Sequence, residues 1–409
     1  FFNAVSANNQ VMGSVTIAKN GKILYNRVMG YSNLEKTKPE LSNFNTLYRI
    51  GSITKTFTAV IIFQLIEEKK LTLGTKLSKF FPAIPNADQI TIEHLLRHTS
   101  GIPDHVNENL DWIKQPHTRA ELLEKIALVK PHFEPGTKQQ YSNGGFLLLG
   151  YIIQEITGKT YQAAVDQRIV KKINLKHTIS GSVNNINTQE ARPYIFDGIW
   201  SPVTDIYFPN IIAVGDILST PTDLVILINA LLSGKLISKD SYQQMTSFGK
   251  DMFGMGLEKA FYYKKVLVGH NGGTFGNYSA CYAVPEDGVS FAVTTNGMNY
   301  NLNNIVLAIL KIYYNDVLEI PFQAKTEDLD ELVGQYSSDT MPLKITISKS
   351  GSVLVAQASG QPRFSLDALN RDSFRREQYD VLLKFNRAKQ EMILVQGGKS
   401  YNYIKDQQE

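Results

Sequence analysis

Ser52 and Lys55 stand three residues apart at the head of a strongly apolar run, with Phe57, Val60 and Ile61 on one side and Ala59, Ile62 and Ile66 on another. Apolar residues on every face predict a buried helix after Gly51, and in a helix that spacing puts Ser52 and Lys55 on one face. Ser52 then lies in the first turn, where free backbone N–H groups and the helix dipole favour a developing anion. A lysine among apolar neighbours loses solvation, which lowers its pKa from about 10.4 toward a range where it acts as a base. The chemistry this layout suits is nucleophilic attack by a hydroxyl. Taken alone, a Ser-x-x-Lys spacing also arises by chance in a chain of this length.

Two further stretches carry suitable side chains. Tyr141 and Asn143 follow the Pro135-Gly136 turn and precede an apolar helix from Phe146 to about Ile156 that stops at Gly158, with Ser142 or Asn143 as its cap. A phenol beside a lysine ammonium is pushed toward phenolate and can then take the Ser52 proton and return it. Asn143, both donor and acceptor, suits a substrate amide. The alternative is a core aromatic followed by a plain cap. His270, near a strand end with Gly272 and Gly273 after it, leaves an open edge where a substrate backbone can lie, or else the glycines form an ordinary loop. His94 and His98 are one helical turn apart, a spacing that can hold a metal with a third ligand such as His105. Buried, hydrogen-bonded histidines flanking the Thr99-Ser100-Gly101 turn are the alternative, and no metal or other cofactor is expected.

The elements that must position these groups alternate between strands and helices. Residues 11–28 read as a hairpin through Val15, Ile17, Ile23, Tyr25 and Val28 with a turn at Asn20-Gly21. Ser219-Thr220-Pro221-Thr222-Asp223 starts a helix that Gly234 closes. Two strands, 279–284 and 289–293, flank a hairpin at residues 285–288. Strands first, then a helix carrying the reactive serine, suit an antiparallel sheet with helices packed on it. Residues 181–210 lack periodicity and are read either as a pocket wall or as a structural flap.

Totals exclude several classes. The 42 Lys and Arg against 38 Asp and Glu leave a net charge of +4 without a basic block, so neither nucleic acid nor an anionic membrane is an implied partner. The longest apolar runs, 58–63 and 146–153, are too short to span a bilayer. The single cysteine, Cys281, forms no intrachain disulfide. Because the chain begins with Phe1, a processed N-terminus is open.

Ser52-x-x-Lys55, Tyr141-x-Asn143 and His270-x-Gly272, in that order, resemble the signature of the penicillin-binding and serine β-lactamase-like hydrolases. The likeness is strongest to the branch with class C β-lactamases, D-alanyl-D-alanine carboxypeptidases, D-aminopeptidases and related esterases, and extends to 94–101, 218–224 and the strands after Gly276. The resemblance implies an α+β fold, with an antiparallel sheet flanked by helices and a helical subdomain. It implies Ser52 as the acylated nucleophile, Lys55 and Tyr141 as the acid/base pair, and Asn143, His270 and Gly272 as substrate-binding residues. The N–H groups of Ser52 and Gly273 would form the oxyanion hole, with each such donor typically worth about 10²–10³-fold in rate. Two positions depart from the pattern: His270 replaces the lysine usual in β-lactamases, and Asp216 stands where many relatives have glycine.

After a charged linker at 323–331, the short alternating runs 343–347, 353–355, 381–385 and 392–395 predict a small antiparallel barrel over 332–409. It resembles the lipocalin-like tail of many such hydrolases, and the hydrolase domain is then 1–322. The expected function is a metal-independent serine hydrolase of a small peptide, amide or ester, periplasmic or secreted in a bacterium. A D-alanyl-D-alanine carboxypeptidase or D-amino-acid peptidase leads, with an esterase and a slowly acylating penicillin-binding or sensing module as alternatives. Oligomeric state is left open.

Overall fold

The structure is a computed structural model that describes residues 1–104, 113–181, 189–196, 199–203, 206–248 and 252–407. It divides into two compact units, one of residues 13–193 with 203–296 and the other of residues 1–12, 194–202 and 297–409.

The first unit carries all the residues singled out for chemistry. The chain enters through strands β1 (Val11–Lys19) and β2 (Lys22–Met29), joined as the alternation predicts by a turn with Asn20 and Gly21 at positive φ. Helix α1 (Thr54–Glu67) follows a short 3-10 turn, Gly51–Ile53, so Ser52 lies just ahead of the α-helix rather than within it. Helix α2 (Ile92–Leu96) is capped by Thr91, and α3 (Asn143–Thr157) by Ser142, with Gly158 closing α3 in the left-handed conformation at φ 64°. Helix α4 (Pro221–Leu232) starts at the Thr220 cap with Pro221 in its first turn. The remaining strands are β3 (Glu258–Tyr262), β4 (Lys265–Gly273), β5 (Tyr278–Val284) and β6 (Val289–Met298). Their order in the sheet is β2-β1-β6-β5-β4-β3. The β1–β2, β3–β4, β4–β5 and β5–β6 pairings are antiparallel.

All residues of α1 from Thr54 to Leu65 are buried. Phe57, Val60 and Ile61 join one apolar core with Phe146 to Leu149 of α3, Leu224, Leu227 and Ile228 of α4, and Cys281 and Ala283 of β5. Complete burial holds α1 rigidly, which a nucleophile and its base both need. It also explains why the helix lacks a polar face.

In the second unit, eight strands close into an antiparallel barrel: β7 (Gly334–Ser337), β8 (Ile345–Ser350), β9 (Val353–Ala358), β10 (Phe364–Ala368), β11 (Ser373–Arg376), β12 (Val381–Asn386), β13 (Glu391–Gln396) and β14 (Lys399–Lys405). Tyr336 pairs with Lys405 to close it. Tyr336, Ile347, Leu354, Phe374, Leu383, Met392 and Tyr403 form a buried cluster, so side chains fill this barrel. Among the described residues, no helix is long and apolar enough to cross a membrane.

Candidate active site

The Ser52 hydroxyl sits between two groups that can move its proton. Lys55 Nζ donates to Ser52 Oγ at 3.0 Å and to the Val214 carbonyl oxygen at 3.2 Å, and Tyr141 OH donates to Ser52 Oγ at 2.7 Å. Nζ also lies 4.8 Å from the centre of the Tyr141 ring and 5.7 Å from that of Phe146. Lys55 is fully buried while Ser52 is partly exposed, so the nucleophile is reachable and its neighbour is dry. Burial lowers the Lys55 amine from 10.5 to about 7, against the opposing pull of the Asp104 and Glu258 carboxylates. At neutral pH a large share of Lys55 is therefore a free amine with a lone pair for the serine proton.

Tyr141 differs from its sequence expectation. The Lys55 ammonium was to drive it toward phenolate, but burial pushes the phenol up instead, and Glu258 and Asp104 push it further the same way. With about half of Lys55 uncharged near pH 7, the cation available to stabilise a phenolate is reduced as well. Tyr141 is a neutral hydroxyl, suited to relay a proton rather than to abstract one.

A dense set of contacts holds Tyr141. The Gln140 N–H donates to the His98 carbonyl oxygen and the Gly136 N–H to that of Thr99, both at 2.8 Å, which ties the loop before α3 to the end of α2. The His98 ring stacks on Tyr141 with centroids 4.4 Å apart, and its Nδ1 accepts the Ser142 N–H at 3.1 Å. Burial, with Lys55 and His270 nearby, keeps His98 well below its usual pKa and hence neutral. His94 Nδ1 accepts the Thr91 N–H at 3.4 Å, while His98 lies past the helix end at φ 59°. One nitrogen of each ring thus accepts from backbone, with His98 buried and His94 partly exposed, and His105 lies outside the described residues.

Asn143 is the first residue of α3, and its Nδ2 donates to both Asp104 carboxylate oxygens at 3.0 Å. The bond sets the amide's orientation, since a carboxylate accepts only from the nitrogen side. His270 is buried on β4 with Nδ1 2.5 Å from the Asn271 carbonyl oxygen and its ring 6.4 Å from Tyr141. A carbonyl requires a donor there, so the neutral ring keeps its lone pair on Nε2. Burial, with Lys55 nearby, lowers the His270 pKa against the opposing influence of Glu258. Glu258 anchors this corner by accepting the Asn271 N–H at 2.9 Å and the Tyr282 hydroxyl.

Glycines let β4 approach the serine turn. A Cβ on Gly272 would stand 2.1 Å from the Ile50 carbonyl oxygen and 2.9 Å from the Ser52 nitrogen, and one on Gly51 would stand 2.6 Å from the Gly273 nitrogen. The backbone nitrogens of Ser52 and Gly273 thus meet at one cleft, and β3 pairing with β4 stops at Gly269, leaving residues 270–273 running on past it.

The structure therefore brings Ser52, Lys55, Tyr141, Asn143, His270, Gly272 and Gly273 together. Asp104, Glu258 and the Val214 carbonyl were not foreseen. Neither carboxylate sits in a motif, and a carbonyl leaves no mark in a sequence. In the stretch 181–210, residues 182–188, 197–198 and 204–205 lie outside the described set. Asn210 binds the Ile113 and Gln115 carbonyl oxygens at 3.0 and 2.7 Å, a scaffolding role.

A serine shared between lysine and tyrosine, on a helix packed against an antiparallel sheet, defines a hydrolase of the serine β-lactamase type. Matching the beta-lactamase family over residues 4–312, the chain belongs to that family. It is 29% identical over 314 residues to a teichoic acid D-alanine hydrolase of Staphylococcus aureus, covering 75% of this chain and 74% of that protein. It is similar to the octameric penicillin-binding protein homologue of Pyrococcus abyssi, at TM-score 0.69 and 25% identity over 98% of both chains. It is similar as well to the D-amino acid amidase of Ochrobactrum anthropi SV3 in complex with L-phenylalanine, at TM-score 0.69 and 25% identity over 77% of this chain and 97% of that one.

Proposed function

We propose that the protein hydrolyses D-aminoacyl esters or amides bearing a free α-ammonium group, through an acyl-enzyme on Ser52. The observation that carries the first half is the Ser52 hydroxyl held 3.0 Å from the buried Lys55 amine and 2.7 Å from the Tyr141 hydroxyl. In this reading Lys55 takes the Ser52 proton as Oγ attacks the acyl carbon, and the Ser52 and Gly273 N–H groups hold the oxyanion. The Lys55 ammonium then passes its proton through the Tyr141 hydroxyl to the departing oxygen or nitrogen, and that bond breaks. Water follows the same path in reverse, losing its proton through the pair as it attacks the acyl-enzyme, and the D-amino acid leaves with Ser52 restored.

The substrate class follows from the charges around the pair. Asp104 and Glu258 are the carboxylates that act on Lys55 and Tyr141, and His270 stands as a neutral ring where β-lactamases usually carry a lysine. Acceptors of this kind attract an ammonium and give a substrate carboxylate little. The carboxypeptidase alternative, which must seat a terminal carboxylate, is disfavoured for that reason. The relatives point the same way, one named for D-alanine removal from teichoic acid and another for D-amino acid amides. A substrate outside the cytoplasm belongs to the same proposal.

The test compares D-alanine p-nitroanilide and D-alanine methyl ester with their L-isomers, their N-acetyl forms and acetyl-D-alanyl-D-alanine, with intact mass read for a Ser52 adduct. Turnover of the free-amine D-compounds, abolished in Ser52→Ala and lowered about 10²–10⁴-fold in Tyr141→Phe, is expected. Equal turnover of N-acetyl and free-amine compounds would remove the ammonium from the proposal, and activity retained in Ser52→Ala would remove the mechanism.

A further inference from the structure

Asp216 is a completely buried carboxylate with no part in the scheme above. Both of its carboxylate oxygens are hydrogen-bonded: Oδ2 accepts the Ser180 hydroxyl at 2.8 Å and Oδ1 accepts the Ala213 N–H at 3.0 Å. Ala213 is buried and stands at φ 65°, a left-handed conformation that an alanine adopts only when its surroundings impose it. Its carbonyl oxygen accepts the Thr58 hydroxyl of α1 at 2.8 Å. The next residue is Val214, whose carbonyl oxygen accepts from Lys55 Nζ. Arg49 braces the other end of the turn by donating to the Asp216 carbonyl oxygen at 2.9 Å.

We propose that Asp216 is a positioning residue for Lys55: its carboxylate holds the strained 213–214 turn so that the Val214 carbonyl takes one Nζ hydrogen and, once Nζ has lost the proton that it directs at Ser52 Oγ, its lone pair is aimed at that oxygen. The proposal rests on Lys55 as the base but not on the substrate class. A lysine amine has rotational freedom about its last bond, and a single buried acceptor opposite the serine removes it. An alanine at positive φ needs that support, whereas a glycine does not.

The groups that bear on a pH readout are these. Lys55 is faced by Tyr141, by the depressed imidazoles His98 and His270, and by the Asp104 and Glu258 carboxylates. Asp216 is faced by Arg49 and Tyr161, and burial raises it to about 6. An acceptor on Nζ favours the ammonium form, so losing the Val214 contact lowers the Lys55 pKa.

The experiment measures Ser52 labelling by a fluorophosphonate probe, which reports the nucleophile whatever the natural substrate, across pH 5 to 9. The proteins are wild type, Asp216→Asn, Asp216→Ala, and Asp216→Ala combined with Ala213→Gly. The Asp216→Asn variant keeps an oxygen for the Ala213 N–H and is expected to label at a rate close to wild type. The Asp216→Ala variant should lose maximal labelling rate on the order of 10- to 100-fold with little change in half-saturation. Its acid limb should move down by roughly half a pH unit. Adding Ala213→Gly should recover most of the rate, since glycine takes the turn's conformation unaided. Wild-type kinetics in Asp216→Ala, or an unrescued rate in a folded double variant, would overturn the proposal. If Asp216→Ala alone fails to fold, the double variant decides. A wild type that the probe does not label would count against Lys55-assisted attack by Ser52, and this proposal would fall with it, whereas failure of the D-aminoacyl substrates leaves it standing.

Discussion

Replacing Lys55 with methionine should make the protein inactive and, near neutral pH, more stable. The folded state holds the Lys55 amine at about 7 against 10.5 in the open chain. Between those values the unfolded chain binds the extra proton, so wild-type stability rises with pH there, by about 1.4 kcal/mol per unit. The accumulated penalty is greatest below pH 7, at about 5 kcal/mol, is about 4 kcal/mol at pH 7.5, and falls to about 1–2 kcal/mol at pH 9.5. Methionine matches the length and removes the charge, so Lys55→Met escapes the penalty altogether. Against this stand the lost bonds to Ser52 Oγ and to the Val214 carbonyl, together costing about 2–3 kcal/mol at any pH. The variant is therefore expected to be more stable than wild type at pH 7.5 by about 1–2 kcal/mol and less stable at pH 9.5 by about 1 kcal/mol. Urea unfolding of both proteins by far-UV circular dichroism, in matched buffers at several pH values, gives the difference with other titrating groups cancelled. A stability difference that stays constant from pH 7.5 to 9.5 would refute a buried lysine with a depressed pKa.

The pH–rate profile offers a catalytic check on the same group. The neutral amine is the active form, so kcat/KM for D-alanine p-nitroanilide should fall about tenfold per unit below pH 7 and, because the proposed substrate is the ammonium form, fall again above the substrate's own α-amino pKa of about 8. Because burial pushes Tyr141 above its usual value, it stays a hydroxyl across this range, and a rate that rises with pH toward 10 would return Tyr141 to the role of phenolate base. Gly272→Ala tests the close approach of β4 to the serine turn. A Cβ there meets the Ile50 carbonyl oxygen at 2.1 Å, so the strand must back away, and Ser52 labelling should fall at least tenfold, by the order that small misplacements cost, in a protein that still folds. Labelling at the wild-type rate would show that the approach is dispensable.

Much of the site was legible because it lies in local pattern. A helix apolar on every face had to be buried; Lys55 falls in its first turn, and Ser52, on the 3-10 turn just before it, still meets the Lys55 amine. Caps and punctuation were equally readable: Ser142 and Gly158 bound α3, Thr220 and Pro221 start α4, and Asn20-Gly21 turns the first hairpin. The alternation after residue 332 anticipated a barrel, because a strand with one face on a core repeats every second residue whatever its partners are.

What the sequence could not decide is whatever depends on groups far apart in the chain meeting in a dry place. Asp104, Glu258 and Val214 come from three loops or strand ends, and no spacing rule joins them to residues 52 and 55. The protonation of Tyr141 turns on the same point: a phenol's pKa depends on the solvent it loses and on the charges it meets, and both are set by packing. In the sequence Asp216 stands out only as a departure from the family pattern. Folded, it accepts the N–H of Ala213, whose left-handed backbone conformation only the tertiary structure reveals. The chain by itself determined which residues can react and which elements carry them. The tertiary structure decided their protonation and aim, because desolvation and hydrogen-bond geometry are properties of the packed interior and not of any segment within it.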